Sequence, residues 1–266
     1  MNDKILQQAI KTGRLGRHPF YWYETLDSTN TCAMEMARNG AEDQTLIVAE
    51  SQNRGRGRLG RTWVSPPGTG LYVSIILQPK LEPEHLAQLT LMAGVAVCRA
   101  IDGVAGIFTR IKWPNDVLAE GKKIAGILSE STGISLQEKP VVVLGIGINV
   151  ESPPEAFSQE LVSATSIFAV TGRIVQKGTL LQRLLVEIGQ LTELLEQGEF
   201  SKILTEWKGR DATLGKRLKW ITTAQEVVYG VAMGPDEEGH LHIKDHSGTL
   251  HEVVSGDINL LGSPSF

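Results

Sequence analysis

Two apolar runs, Thr45–Glu50 (TLIVAE) and Leu71–Leu77 (LYVSIIL), are separated by a stretch that no regular element can absorb: QNRGRGRLGRTWVSPPGTG, from Gln52 to Gly70. Arg54, Arg56, Arg58 and Arg61 stand there among Gly55, Gly57 and Gly60, with no acid beside them. Pro66 and Pro67 deny the stretch a helix, because each ring removes an N–H and clashes with the preceding turn. The fold must therefore contain a sheet whose strands hold both ends of a basic, glycine-hinged loop. Guanidinium forks and backbone amides gathered this closely suit a dense negative charge, phosphate or carboxylate. Like charges and glycines predict a loop that is mobile when empty and orders around an anion.

Two phosphate motifs nearly match and fail on context. Gly55, Gly57 and Gly60 have the spacing of GxGxxG, and Gly55–Thr62 reads GxxxxGRT. Both motifs need a helix directly afterwards, whose N-terminal amides hold the phosphate, and the prolines exclude it. A basic RNA-binding loop is the competing reading. Net charge of −4 confines the arginines to a local site in a mildly acidic body and weakens that reading.

Along the chain, Asp3–Ile10 predicts a short helix, too brief for a DNA-reading domain, and Phe20–Tyr23 begins a strand. Asp27, Ser28 and Thr29 cap a helix through Arg38 that Gly40 ends; such a start serves as a plain N-cap or as a ligand contact. Pro83–Ile101 is a long core helix. Ile107–Trp113 is a strand whose end, Lys112-Trp113-Pro114-Asn115-Asp116, is turned by Pro114. Val117–Leu118 and Lys123–Glu130 form a hairpin about Glu120-Gly121. Val141–Val150 is an apolar strand broken by Gly145 and Gly147, the mark of a close approach by ligand or backbone. A Pro-bearing loop, Ser152–Thr165, precedes helices at Lys177–Gln197 and Phe200–Trp207. After Arg210 come short strands and turns, expected to close into a small barrel. His240, His242 and His246 in that region read as solvated strand residues rather than metal ligands. Cys32 and Cys98 lie in apolar helical patterns and read as free thiols. No signal-peptide core and no run approaching a membrane span is evident, which points to the cytoplasm.

Taken in order, DSTN (Asp27–Asn30), GRGRLGRTW (Gly55–Trp63), KWPND (Lys112–Asp116), KKIAGIL (Lys122–Leu128) and GIGINV (Gly145–Val150) make the chain resemble the biotin protein ligases over about residues 20 to 260. The resemblance implies an α+β fold of the class II synthetase-like, biotin/lipoate ligase type. A mixed sheet flanked by helices would occupy 1–211, and an SH3-like β-barrel 212–266. The chain is similar to the monofunctional members, which lack a winged-helix domain. The implied reaction joins biotin and ATP into biotinyl-5′-AMP, releases pyrophosphate, and passes the biotinyl group to a lysine of a biotin carboxyl carrier protein. Mg²⁺ would accompany ATP; neither DNA nor membrane is an expected partner, and a homodimer is among the assemblies open to it. Lipoate or octanoate ligases on the same fold are the nearest alternative.

The resemblance also implies roles. Ser28, Thr29, Asn30 and Gln52 would hold the biotin head group, with Gly126, Gly145 and Gly147 as its pocket wall. Arg56, Gly57 and Arg58 would close over the ligand, and Arg58 and Arg61 would face phosphates. Lys123 would bridge the biotin carboxylate and the α-phosphate, and Trp63 would pack on the intermediate. Asn115 and Asn149 would contact metal-bound phosphate and adenine. Lys112 is either an ATP contact or an exposed strand-end charge. Asp116 is either the group that orients or deprotonates the incoming lysine, or a cap on the turn after Pro114. Where some relatives carry a basic residue after the last strand, this chain reads GDINLLGSPSF, so no ATP contact from the C-terminal strands is implied. A carboxylate is ionised at neutral pH, so its attack on phosphorus needs charge neutralisation and alignment rather than a covalent nucleophile; no Ser-His-Asp or Cys-His arrangement is required.

Overall fold

In the computed structural model, which describes residues 3–132, 140–152, 164–221, 227–254 and 256–261, the apolar runs become strands of one mixed sheet. Its members are β1 (Arg14–Leu15), β2 (His18–Leu26), β3 (Leu46–Gln52), β4 (Gly70–Leu77), β5 (Arg110–Lys112), β6 (Asp116–Ala119), β7 (Lys122–Ser131) and β8 (Val142–Asn149), in the order β1-β2-β3-β4-β8-β7-β6-β5. β2 and β3 run parallel, which requires the crossover supplied by α2 (Thr29–Arg38); the other neighbouring pairs described are antiparallel. The expected loop Ser152–Thr165 lies mostly outside the described residues.

Period-two alternation divides the strands between two cores. Ile47, Ile76 and Val143 meet Ala33 of α2 on one face. Leu46, Val48, Ile75 and Leu144 point to the other, where they join α1 (Lys4–Thr12), α3 (Leu86–Ala105), α4 (Ile167–Thr171), α5 (Lys177–Glu196) and α6 (Phe200–Arg210) in the main core. With helices on both faces, β4 is buried along its whole length.

The long helix differs from expectation at both ends. Pro83 starts a 3-10 turn, Pro83–His85, and α3 runs on to a left-handed Gly106 (φ 69°) instead of stopping at Ile101. The strand expected from Ile107 shrinks to β5 as a result. Pro83–Ala105 also has the length and hydropathy of a membrane span, contrary to the sequence expectation, but 67% of its apolar window is buried inside the protein, as in a core helix. Cys98 on α3 is fully enclosed, and burial pushes its thiol up to about 12. Native protein at pH 8 is therefore expected to leave Cys98 unalkylated by iodoacetamide until it is unfolded; peptide mass mapping checks this, and rapid native labelling would contradict it.

The C-terminal strands correct the barrel expectation. β9 (Arg217–Ile221), β10 (Val227–Pro235), β11 (Leu241–Asp245), β12 (Leu250–Val253) and β13 (Asp257–Leu260) form an open sheet, ordered β12-β11-β10-β9-β13, whose two edge strands do not meet among the described residues. The reason lies in what covers the sheet. Leu218, Ala232, Leu241, Ile243, Val253 and Ile258 are buried in the same core as the large sheet, so the apolar face needs no closure upon itself. Polar bonds dock it: Trp113 Nε1 donates to Gly239 O (3.1 Å) and Gln88 Nε2 to Glu237 O (3.0 Å). Trp113 is thus a core residue, 2% exposed.

The histidines there serve separate pairs. His240 Nδ1 lies 2.6 Å from Glu252, His242 Nε2 lies 2.7 Å from Asp236, and His251, rather than His246, pairs with Asp245 at 2.8 Å. Burial raises the Asp236 carboxyl, but His242 and the His240 amide outweigh it and hold the group below its ordinary range. Asp236, His240 and Glu252 place donor atoms within 4.8 Å of one another. Each is already satisfied by the hydrogen bonds just given.

Candidate active site

The loop that no regular element could absorb folds back on itself over the sheet. Gln52 N donates to Ser65 O (3.1 Å), Trp63 N to Gly55 O (2.9 Å) and Gly57 N to Arg61 O (2.8 Å), so its two limbs pair like a narrow hairpin. The tip, Arg58–Gly60, turns through left-handed Leu59 (φ 54°) and Gly60 (φ 74°). Gly55 is obligatory: a Cβ there would lie 2.2 Å from Trp63 O. Tyr72 ties down the far limb, donating to Pro66 O (3.3 Å), and burial pushes its phenol up to about 12, so it stays protonated as a donor.

Beneath the loop lies a cavity of about 580 Å³, the size of a pocket for a substantial organic ligand. All seventeen positions put forward from the sequence line it, drawn from α2, β3, the loop, the β5–β6 turn, β7 and β8. Arg54, the remaining arginine of the loop, does not; it sits 3.7 Å from Asp27 with 82% of its side chain exposed, a weak screened pair. The lining includes Arg56, Arg58, Arg61, Lys112, Lys122 and Lys123 against one carboxylate, Asp116. Six cations facing one acid attract a polyanion.

One end of the cavity is neutral and tightly bonded. Ser28 caps α2, its Oγ accepting from Thr31 N (3.4 Å), and also lines the cavity. Thr29 donates from N (2.8 Å) and Oγ1 (3.2 Å) to Gln52 Oε1, and Gln52 Nε2 donates to Ser65 Oγ (2.8 Å). Asn30 Oδ1 accepts from Ser74 Oγ (2.6 Å). Gly145 must lack a side chain, because a Cβ would lie 1.9 Å from Asn30 Oδ1.

The wall beside it is made of glycine. Gly126 of β7 and Gly147 of β8 pair directly across the strands, and the Trp63 indole lies against both. A Cβ would come within 2.9 Å of the ring at Gly126 and 2.5 Å at Gly147. Trp63 Nε1 is buried without a hydrogen-bond partner, an orphaned donor of the kind a ligand satisfies.

The charged end is built on the KWPND turn. Lys112 pairs in register with Asp116 across the β5–β6 hairpin and is only 7% exposed, so it is no ordinary surface charge. Among the described residues no backbone N–H donates to the Asp116 side chain; its Oδ1 lies 2.5 Å from Lys123 Nζ, which also sits 5.3 Å from the Trp63 ring centre, within cation–π range. Asn115 Nδ2 donates to Ile127 O (2.8 Å), which turns Oδ1 toward Arg58 Nη1 (3.2 Å). Asn149 Nδ2 donates to Thr165 O (2.9 Å). Arg56 is held by Glu130 in a two-point pair, 2.7 and 3.0 Å.

Sequence reasoning missed Ser74, Glu130, Asn259 and Leu260. Ser74 had a signal, as the one polar residue in an apolar strand. Glu130 had none. Asn259 and Leu260 of β13 line the cavity, and Gly256 O accepts from Arg58 Nη2 (3.4 Å), so the C-terminal sheet does reach the site.

Comparison with known proteins places the chain among relatives. Residues 22–149 match the Biotin/lipoate A/B protein ligase family. The chain is 36% identical over 263 residues to the bifunctional ligase/repressor BirA of Bacillus subtilis, covering 98% of this chain and 79% of that one. It is 32% identical over 239 residues to the biotin–[acetyl-CoA-carboxylase] ligase of Mycobacterium tuberculosis, covering 87% and 85%. The structure of biotin protein ligase from Aquifex aeolicus in complex with biotin and ATP superposes with a TM-score of 0.79 at 31% identity, covering 92% of this chain and 99% of that one. Similarity at this level over 98% of the chain shows that it belongs to the biotin/lipoate A/B protein ligase family, among its biotin protein ligases.

Proposed function

We propose that the cavity binds biotin at its neutral, glycine-walled end and ATP at its cationic end, joins them as biotinyl-5′-AMP with release of pyrophosphate, and passes the biotinyl group to a lysine of a biotin carboxyl carrier domain. The observation that carries this reading is the division of one cavity into these two ends, with Lys123 where they meet, beside Trp63. A carboxylate attacking the α-phosphate brings two anions together. Lys123, bridging both, lowers that repulsion and stabilises the charge developing in the transition state. Arg58 and Arg61 take the remaining phosphate charge, and alignment in a closed cavity supplies much of the rest of the rate. Asn149 and Lys112 are assigned to the nucleotide.

Mg²⁺ fits the donors present. It favours one or two protein oxygens plus substrate phosphates, and Asn115, beside the cationic end, offers one such oxygen. Bound there with ATP, it would supply further neutralisation of phosphate charge.

In the second half-reaction the acceptor lysine arrives protonated, and Asp116 is assigned to orient it and take its proton. Asp116→Asn is therefore expected to slow transfer to the carrier at least about tenfold more than it slows adenylate formation, within the usual range for general-base loss. Rapid-quench assays of the two half-reactions check this; equal losses would remove the base assignment. The function itself is tested by incubating the protein with ATP, Mg²⁺, a carrier domain, and biotin, lipoate or octanoate in turn. The carrier mass is expected to rise with biotin, and a rise with lipoate or octanoate instead would reassign the acid.

A further inference from the structure

The arginine loop is tied down by a carboxylate that the chemistry above does not use. Glu130, near the end of β7, accepts from Arg56 Nη1 at Oε2 (3.0 Å) and from Nη2 at Oε1 (2.7 Å). The same Oε2 accepts from Asn30 Nδ2 (3.0 Å). Asn30 cannot turn away, because Nδ2 also donates to Leu128 O (3.3 Å), Oδ1 is held by Ser74, and Gly145 leaves it no spare room. One carboxylate thus joins a fixed side chain in the cavity floor to the first cavity-lining arginine of the loop. The pair is bidentate and charge-assisted, and Glu130 is 23% exposed against 45% for Arg56, so it is stronger than a fully solvated surface contact.

Glu130 is also the place where the two ends of the loop meet one network. Asn30 shares Ser74 with Thr29, Thr29 bonds Gln52 at the start of the loop, and Gln52 bonds Ser65 on its returning limb. Without Glu130, these residues still fix the base of the loop. The limb that carries Arg56, Gly57 and Arg58 over the cavity would then lose its two-point tie at Arg56 and keep the longer contacts of Arg58 with Asn115 (3.2 Å) and Gly256 O (3.4 Å).

We propose that Glu130 is a positioning residue that latches the arginine loop shut through Arg56 and so sets how long the acyl-adenylate is retained. The adenylate part rests on the function proposed above. The latch exists without ligand, so it is testable separately. In Glu130→Gln the shape is kept and the charge removed, and bound biotinyl-AMP is expected to leave about tenfold faster, the scale of one charge-assisted interaction discounted for partial exposure. Arg56→Gln, made from the exposed side, is expected to do the same, and the double variant to be no faster than either alone.

The experiment loads wild type and the three variants with biotin and ATP, desalts them, and follows retained biotinyl-AMP by mass spectrometry. In parallel, the empty proteins are digested with trypsin and cleavage after Arg58 and Arg61, sites that all four proteins share, is timed, with thermal melting as a folding control. Faster adenylate loss and faster loop cleavage in each single variant, without further gain in the double, support the latch. Unchanged cleavage and retention in a folded Glu130→Gln protein, or effects that multiply in the double variant, overturn it. Should wild type form no biotinyl-AMP, the proposed function fails, while loop cleavage still decides the latch.

Discussion

Lys123→Ala is expected to lower biotin-dependent exchange of pyrophosphate into ATP by at least about 10²-fold, the cost of removing one preorganised donor from a developing charge. Lys123 is placed for this by its backbone as well as its charge. Its carbonyl accepts from Thr165 N (2.8 Å), and its ammonium is pinned between Asp116 and the Trp63 ring. The side chain is one-third exposed (33%), so truncation leaves no sealed cavity in the core, and the circular dichroism and melting of the variant should stay close to wild type. Near-normal exchange in a folded variant would remove Lys123 from the reaction.

The second large effect is expected at a residue with no side chain. Gly145→Val would drive atoms into Asn30, which a Cβ alone already meets at 1.9 Å, and Asn30 has bonds on every polar atom and nowhere to go. The start of α2 would have to shift, carrying Thr29 and Ser28 with it. Overpacking of this kind costs about 1–3 kcal/mol. Taken up at the biotin end, that is roughly a ten- to hundredfold rise in the KM for biotin. The KM for ATP, bound at the far end, is expected to move much less. Initial-rate kinetics with each substrate varied in turn separate the two, and equal rises in both KM values would show that the neutral end is not a distinct biotin site.

The site was more legible in the sequence than its supports were. Glycines inside an apolar strand, a proline-stopped basic loop and a polar turn after a strand are each local departures from what a strand or helix prefers, and departures of this kind gather at sites. Gly145, Gly147, Arg58 and Asn115 could therefore be singled out one by one. Glu130 could not, because an acid near a strand end is ordinary, and its partnership with Arg56 is created by the register of β7 against β8 and the fold-back of the loop. The C-terminal sheet shows the same limit. Alternation in LGKRLKWIT and HLHIKD tells which face is apolar, but not whether that face closes on itself or is covered by a larger body. Here Leu218, Leu241 and Ile243 are buried in the main core, which leaves the sheet open and brings Asn259 to the cavity. Pro83 opens a 3-10 turn ahead of α3 rather than α3 itself, and the extension of α3 to Gly106 depends on a left-handed cap that only the glycine's position discloses.

Under the proposed function, one lidded cavity makes an acyl-adenylate and keeps it from water until a carrier arrives. The most direct measurement incubates the protein with biotin, ATP and Mg²⁺ without carrier, isolates the protein by gel filtration, quenches it and identifies the bound small molecule by mass spectrometry. Stoichiometric biotinyl-5′-AMP is expected, discharged to free AMP when carrier domain is added and takes the biotinyl group. Biotin and ATP recovered unreacted, or a carrier biotinylated without ATP, would contradict it.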